Sequence, residues 1–282
     1  MKSKSLNLFF RSGCLVVSLL LLCFAALNYA GPSLIAVTAS GSRKIPIYSV
    51  ETDKPRVALS FDAAWGNEDT QTLLDILASH NVKATFFMTG GWVDSYPDDV
   101  KAIAAAGHDL GNHSQNHPQM STLSASECEA ELTQVHEKVR ALTGIEMKLF
   151  RPPYGDYNNQ LMDVAGGLGY HVIQWNVDSL DWKDYGADDI VSRVLNHKNL
   201  CNGSIILMHN GAKYTKAALD RVITGLQEKG YEIVPVSQLI YTSGYTTDHT
   251  GRQHPSASVS ENPRLTAAAL MPGLCTPALS KT

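Results

Sequence analysis

The sequence predicts an α/β fold, a distorted parallel (β/α) barrel with about seven strands. The first supporting observation is that short apolar runs alternate regularly with longer segments of helical periodicity between residues 54 and 241. The second is that the residues best able to carry chemistry lie at or just beyond the C-terminal ends of the predicted strands. Parallel α/β proteins build their active sites at that edge. A doubly wound parallel sheet is the alternative that the alternation alone leaves open.

The individual elements follow from local patterns. Short runs of apolar residues predict strands at Val57 to Phe61, Ala84 to Met88, His108 to Asn112, Lys148 to Arg151, His171 to Trp175, Ser204 to His209 and Glu232 to Val236. Apolar residues at helical spacing predict helices between them, including Thr70 to His80, Asp98 to Ala106, Ser124 to Thr143, Asn158 to Leu168, Asp188 to His197 and Thr215 to Lys229. Each helix can therefore serve as the crossover between two parallel strands.

The N-terminal segment differs in composition from the rest of the chain. Basic residues precede an apolar run from Cys14 to Leu27, as in a secretory signal peptide. Val37-Thr38-Ala39 has the small residues of a cleavage site. Residues 1–39 are therefore predicted to be a signal peptide or, if they are not cleaved, a single N-terminal membrane anchor. We expect export to the cell envelope or the extracellular space.

Two other segments flank the periodic region. Residues 40–53 form a short polar stretch that is predicted to be a linker. Residues 242–282 are rich in Ser, Thr, Pro and Ala and are predicted to be a low-complexity, disordered tail. A chain of 282 residues with 44% hydrophobic residues is long enough for one sizeable core. Residues 54–241 are thus expected to be a single catalytic domain.

Charge and cysteine content exclude some functions. The net charge is −4 and the chain has no basic stripe that would bind phosphates, so nucleic acid is not an expected partner. Cys128, Cys201 and Cys275 are scattered without the spacing of a thiolate zinc site or a disulfide framework. The pattern does not specify an oligomeric state.

Two histidines four residues apart are the first candidates for a functional site. His113 and His117 lie in the segment His-Ser-Gln-Asn-His and can face the same side of a tight loop or helical turn. In that arrangement they can share a metal ion, although paired surface histidines have the same spacing.

Four further motifs accompany the histidine pair. They are Leu-Ser-Phe-Asp ending at Asp62, Arg-Pro-Pro-Tyr-Gly starting at Arg151, Asp-Ser-Leu-Asp-Trp ending at Trp182, and Leu-Met-His ending at His209. With these motifs in this order, residues 57–240 resemble the polysaccharide deacetylase family, the NodB-homology proteins of carbohydrate esterase family 4. Trp65 and Gly66 after the first motif resemble the sporulation-type deacetylases.

The resemblance implies metal-dependent removal of N-acetyl groups from an extracellular amino-sugar polymer. The polymer expected is peptidoglycan or a related N-acetylglucosamine polymer. His113 and His117 match the two imidazole ligands of a divalent metal, expected to be zinc. Asp62 matches the general base, and Arg151 matches the guanidinium that keeps this base ionised.

The remaining motifs imply the other catalytic and binding roles. His209 matches the general acid that protonates the departing amine, and Asp181 matches the carboxylate that orients it and raises its pKa. The backbone N–H of Tyr154 matches the donor to the oxyanion. The substrate-binding residues implied by the resemblance are Trp182, Leu207 and Pro153.

One position departs from the family pattern. The first motif of the family carries two consecutive aspartates, the second of which is the third protein ligand of the metal, but this sequence has Ala63 there. Because a methyl group cannot coordinate a cation, either the metal affinity falls or another group takes the position. Glu68 and Asp69 lie nearby, although Asp69 is better explained as the N-cap of the first helix. Asp62 itself is the other candidate.

Two functions therefore remain open. The first is a working deacetylase. The second is a catalytically weak or inactive family member that binds cell-wall glycan. Retention of the acid, the base and the residues that tune them favours the first, because a binding module needs none of them. A glycoside hydrolase is disfavoured, since it would use two carboxylates and leave the histidine pair without a purpose.

Overall fold

The computed structural model of the protein describes residues 43–256. The strands in this range are β1 (Ser49–Val50), β2 (Arg56–Ala63), β3 (Thr85–Met88), β4 (Asp109–Asn112), β5 (Leu149–Phe150), β6 (His171–Val172), β7 (Val177–Asp178), β8 (Ile205–Asn210), β9 (Glu232–Ile233), β10 (Tyr245–Thr247) and β11 (Arg252–Pro255). The α-helices are α1 (Thr70–Ser79), α2 (Gly90–Ser95), α3 (Pro97–Ala105), α4 (Ala125–Thr143), α5 (Asn159–Gly167), α6 (Ala187–Leu195), α7 (Thr215–Glu228) and α8 (Val236–Leu239). Short 3₁₀ turns lie at Met120–Thr122, Pro153–Gly155 and Asp181–Lys183.

Eight of the strands form one curled sheet. Their order is β6-β5-β4-β3-β2-β8-β7, and β9 pairs with β2 outside this path. Every pairing in the sheet is parallel. The predicted distorted parallel (β/α) barrel is confirmed, as an open half-barrel with β6 and β7 at its ends. The strand beyond the seven predicted is β7, whose two residues are too few to show a hydrophobic pattern.

The long helices begin and end where local signals place them. In α4, the Ser124 side chain accepts a hydrogen bond from the backbone N–H of Glu127, and the Glu127 carboxylate accepts one from the backbone N–H of Ser124, which forms a capping box. Gly144 ends this helix with a φ of 75°, a left-handed conformation that glycine adopts without strain. The short helix α2 was not predicted, since its six residues are too few to show helical periodicity.

Side chains of β2 alternate between the hydrophobic core and the inner face of the barrel. Val57, Leu59 and Phe61 belong to the core cluster that includes the buried faces of the helices. Successive side chains of a strand point to opposite faces of the sheet. Ser60 and Asp62 therefore lie on the inner face of the barrel, with Asp62 near the C-terminal end of the strand.

Two predicted boundaries are wrong within the described range. The segment predicted to be a linker contains β1, which pairs with β11, and Ile47 forms a bridge to Ile173 at the edge of the barrel. The segment predicted to be a disordered tail contains the antiparallel hairpin of β10 and β11. The hairpin sequence is polar and carries no apolar alternation, so only its pairing with a distant strand reveals it.

Side-chain contacts hold this hairpin in place. Gln253 is fully buried and bonds both the N–H and the carbonyl of Tyr241 at 2.9 Å. His254 lies between the carboxylates of Glu51 and Asp248, at 2.8 and 2.9 Å. The predicted signal peptide or anchor and residues 257–282 lie outside the described residues. Among the helices of residues 43–256, none has both the length and the hydropathy needed to cross a membrane.

We expect a fragment of residues 54–241 to be less stable than one of residues 44–256. The shorter fragment loses the buried side chains of Ile47, Val50 and Gln253. Because burial of one Val or Ile side chain contributes about 1.5–3 kcal/mol, its free energy of unfolding should be lower by about 3 kcal/mol or more. Urea denaturation followed by circular dichroism measures the difference. Equal transition midpoints would show that β1 and the hairpin do not stabilise the barrel.

Candidate active site

Strand register brings the predicted residues to one edge of the sheet. Asp62 of β2 and His209 of β8 are direct partners in their parallel ladder. His113 follows β4 and its N–H donates to the carbonyl of Met88 at 3.0 Å. Arg151 follows β5 and donates in the same way to Asn112 at 2.9 Å. Residues far apart in sequence thus meet because each lies at the C-terminal end of its own strand.

A cavity of about 360 Å³ opens at this edge. Its walls are formed by Asp62, Trp65, His113, His117, Tyr154, Trp175, Asp178, Trp182, Leu207 and His209. Two more predicted residues, Arg151 and Asp181, lie behind this wall and bond residues that form it. Pro153, predicted to bind substrate, is buried in the turn before Tyr154 and does not line the cavity, whereas Tyr154 does.

The carboxylate of Asp62 is held by a fully buried guanidinium. Arg151 donates to Asp62 Oδ1 at 2.7 Å and to Ser60 Oγ at 2.8 Å, and its guanidinium lies 4.2 Å from the centre of the Phe87 ring. Burial alone would raise the pKa of Asp62, but the charge of Arg151, its hydrogen bond and the charge of His209 outweigh burial and hold the pKa below its usual value. Asp62 is therefore ionised at neutral pH.

His209 has the opposite electrostatic environment. Asp181, which is fully buried, accepts from His209 Nδ1 at 2.7 Å and, through its other oxygen, from the His209 N–H at 2.7 Å and Thr215 Oγ1 at 2.6 Å. Burial would lower the pKa of His209, but the hydrogen bond and the charge of Asp181 raise it above the ordinary value. The bond at Nδ1 leaves Nε2 as the nitrogen that can serve a substrate.

The histidine pair is held in the neutral, ligand-competent state. His113 Nδ1 donates to the carbonyl of Arg151 at 2.7 Å, which leaves a lone pair on Nε2, 3.5 Å from Asp62 Oδ2. The rings of His113 and His117 have centroids 4.8 Å apart. Burial lowers the pKa of His113, and burial together with His113 lowers that of His117 to about 4. His117 is positioned by its own N–H, which donates to Ser114 Oγ at 3.0 Å.

These donors fit a divalent first-row metal with two protein ligands. Neutral imidazoles whose other nitrogen is fixed by a backbone carbonyl are typical metal ligands. Residue 63 adds no donor, because the methyl group of this buried alanine has no lone pair. Across residues 43–256, no cluster of three or more His, Cys, Asp or Glu side chains is arranged to hold a metal. The site would therefore complete its coordination with solvent or substrate.

The two nearby acidic residues do not replace the missing ligand. Asp69 stands at the N-cap position of α1, as predicted, but its side chain makes no capping bond and accepts instead from the N–H of Gly211 at 2.8 Å. Glu68 accepts from the N–H of Asn67 at 3.1 Å. Neither side chain lines the cavity that contains the histidine pair.

Four residues of the site were not predicted from the sequence to belong to it. Ser60 and Thr215 bond the two charged residues behind the cavity, and Trp65 and Trp175 form part of its wall. Trp65 lies three positions after Asp62, so proximity in sequence was a usable signal. Ser60 lies within the Leu-Ser-Phe-Asp motif, but its role, like those of Thr215 and Trp175, is identified only by a contact with a distant residue.

Comparison with known proteins agrees with this geometry. Residues 49–173 match the polysaccharide deacetylase family. The chain is 36% identical to a peptidoglycan-N-acetylglucosamine deacetylase of Bacillus cereus, over 70% of this chain and 72% of that protein. It is 38% identical to the peptidoglycan-N-acetylglucosamine deacetylase PgdA of Listeria monocytogenes, over 70% of this chain but only 41% of PgdA.

A solved structure adds a contrasting relative. BA3943 of Bacillus anthracis is a CE4 family pseudoenzyme that superposes with a TM-score of 0.67 at 36% identity, over 70% of this chain and 69% of its own. A BA3943 mutant with restored enzymatic activity superposes with the same TM-score at 38% identity, over 70% and 71% of the two chains. The same fold and similar sequences thus occur in both active and inactive relatives.

An NMR titration of His209 tests whether Asp181 raises the pKa of this imidazole. In the wild type, the His209 imidazole should titrate above the pKa of an ordinary histidine. In Asp181→Asn the largest raising influences are lost while burial remains, so the pKa of His209 should fall well below its wild-type value. Asp188→Asn, a change at an exposed residue, is the matched control and should leave the titration unchanged. An unchanged pKa in Asp181→Asn would disprove the role of the carboxylate.

A second prediction concerns the missing metal ligand. Ala63→Asp should raise the affinity for zinc about tenfold or more, because an anionic oxygen replaces solvent in the coordination of a dication. Ala63→Asn has the same shape without the charge and should give a much smaller gain. Calorimetric titration at fixed pH measures both, and thermal denaturation checks that each variant is folded. Equal dissociation constants for wild type and Ala63→Asp would show that residue 63 does not face the metal.

Proposed function

The chain belongs to the polysaccharide deacetylase family, and we propose that it removes N-acetyl groups from peptidoglycan or a related N-acetylglucosamine polymer outside the cytoplasm. The observation that carries this proposal is a pair of oppositely tuned groups facing one cavity. The pKa of Asp62 is held below its usual value, and that of His209 is raised above its usual value. Amide hydrolysis needs such a base for the water and such an acid for the leaving amine.

The residues of the cavity can divide the reaction between them. The ionised Asp62 accepts a proton from the attacking water. The protonated His209, oriented by Asp181, donates a proton from Nε2 to the departing amine. The backbone N–H of Tyr154 stabilises the developing oxyanion. Trp182 and Leu207 enclose the acetyl methyl group in the apolar part of the cavity.

A divalent metal, which we propose to be zinc, would be held by His113 and His117. When bound, it would polarise the acetyl carbonyl and lower the pKa of the attacking water. The neutral state of both imidazoles supports this assignment, since a protonated imidazole cannot bind a cation. The predicted export segment and the peptidoglycan substrates named for the relatives support action at the cell wall.

The second candidate function is glycan binding without turnover. The observation that favours it is the lack of a donor group at residue 63, a buried alanine, together with the existence of a pseudoenzyme among the similar structures. Against it stands the complete set of tuned acid and base, which binding alone does not require.

Acetate release from N-acetylglucosamine oligomers and from purified peptidoglycan tests the proposed function. The metal-saturated wild type should release acetate, and excess chelator should abolish the release. His113→Ala, His117→Ala and Asp62→Asn should each lower kcat by about 10²-fold or more, the usual contribution of such groups. His80→Ala, at a surface histidine paired with Asp220, is the control and should retain wild-type activity.

The opposite results identify the second candidate. A metal-saturated wild type that binds the polymer in a pull-down but releases no acetate would replace the deacetylase proposal with the glycan-binding one. Release of acetate that persists in excess chelator and in His113→Ala would leave hydrolysis standing and exclude the metal assignment.

A further inference from the structure

Trp65 makes a ring contact with His209, the proposed general acid. Its indole is stacked on the imidazole, with ring centroids 5.2 Å apart and planes inclined by 26°. Both rings lie in the wall of the cavity. Asp181 holds one edge of the same imidazole through Nδ1. The ring of His209 is thus fixed at one edge by a carboxylate and covered on one face by an indole.

The backbone around Trp65 is fastened to the strand end that carries His209. The carbonyl of Gly66 accepts from the side chains of Trp92 at 2.7 Å and of Asn210 at 3.3 Å. Gly211 passes so close that a Cβ added there would lie 2.4 Å from the carbonyl oxygen of Trp65. Asn210 and Gly211 directly follow His209, so the indole and the imidazole are held by the same local packing.

This contact restricts the motion of the imidazole. A histidine ring bonded only through Nδ1 can still tilt about that bond, whereas a ring stacked on its face cannot tilt without breaking the stack. The electron-rich face of indole also attracts a cation, which favours a protonated imidazole in this orientation. Trp65 is 44% exposed and both rings line the cavity, so a substrate that enters the cavity would approach the stacked pair.

We propose that Trp65 is a positioning residue that holds the His209 imidazole so that Nε2 faces the departing amine. This inference rests on the proposed deacetylase function. The competing explanation is that Trp65 is only a stacking surface for a sugar ring. The two differ in kinetics, because loss of a positioned acid lowers kcat whereas loss of a binding surface raises KM.

The test compares Trp65→Leu and Trp65→Phe with Trp182→Leu, which removes another exposed tryptophan from the same cavity wall. All are assayed for acetate release at metal saturation. Trp65→Leu should lower kcat about three- to thirtyfold, the range expected for a lost cation–π contact, with little change in KM. Trp65→Phe keeps an aromatic face and should recover most of the loss. Trp182→Leu should mainly raise KM.

An NMR measurement tests the contact itself without relying on turnover. A stacked indole shifts the ring protons of His209 upfield, and this shift should disappear in Trp65→Leu, persist in Trp65→Phe and be unaffected in Trp182→Leu. If Trp65→Leu loses stability, the comparison of the wild type with Trp65→Phe still tests the contact, because Phe preserves most of the packing.

The outcomes separate the two proposals. Suppose that the wild type releases acetate. If Trp65→Leu then raises KM with kcat unchanged, or if its His209 resonances stay at their wild-type positions, the positioning role is wrong and the deacetylase function stands. If the metal-saturated wild type releases no acetate, the proposed function fails and the catalytic role of Trp65 fails with it.

Discussion

A buried ion pair between Arg151 and Asp62 organises the candidate active site. The Arg151 side chain fixes the base at 2.7 Å, while its backbone carbonyl accepts from His113 and selects the tautomer of that imidazole. Arg151 therefore contacts both strand β2, through Asp62, and the segment that contains the histidine pair, through His113. Loss of either charged partner would leave the other buried without compensation, which typically costs about 3–5 kcal/mol. A substitution at either residue is therefore expected to lower the stability of the barrel as well as to disturb the geometry of the site.

Burial acts on the pKa of Asp62, His113, His117 and His209 in the cavity, and the neighbours of each group decide the direction of its shift. It raises the pKa of carboxyl groups and lowers that of imidazoles. Arg151 reverses this influence at Asp62 and Asp181 reverses it at His209, while nothing comparable outweighs it at His113 and His117. The same enclosure thus favours an anion at Asp62, a protonated imidazole at His209 and neutral imidazoles at His113 and His117. Such separation of protonation states is what acid–base chemistry at neutral pH needs.

The site also contains strained backbone. Ser114, His117, Tyr154 and Leu180 have φ values between 50° and 67°, a left-handed conformation that is unfavourable for residues other than glycine. All four lie in the motifs that follow the strands. Strain of this kind persists only where surrounding contacts impose it, as the bond from the His117 N–H to Ser114 Oγ does. Ala63, which is fully buried, offers no donor atom to the histidine pair.

The sequence by itself determined the alternation of strands and helices, the barrel class and most of the chemically capable residues. These depend on local periodicity and on short motifs at strand ends, which are visible without knowing which strands are neighbours. Only the tertiary structure decided that Asp69 bonds Gly211 instead of approaching the metal site, that Trp65 stacks on His209, and that the polar hairpin of β10 and β11 completes the fold. The physical reason is that each of these depends on contacts between residues distant in the chain, whose energies leave no periodic trace in the sequence.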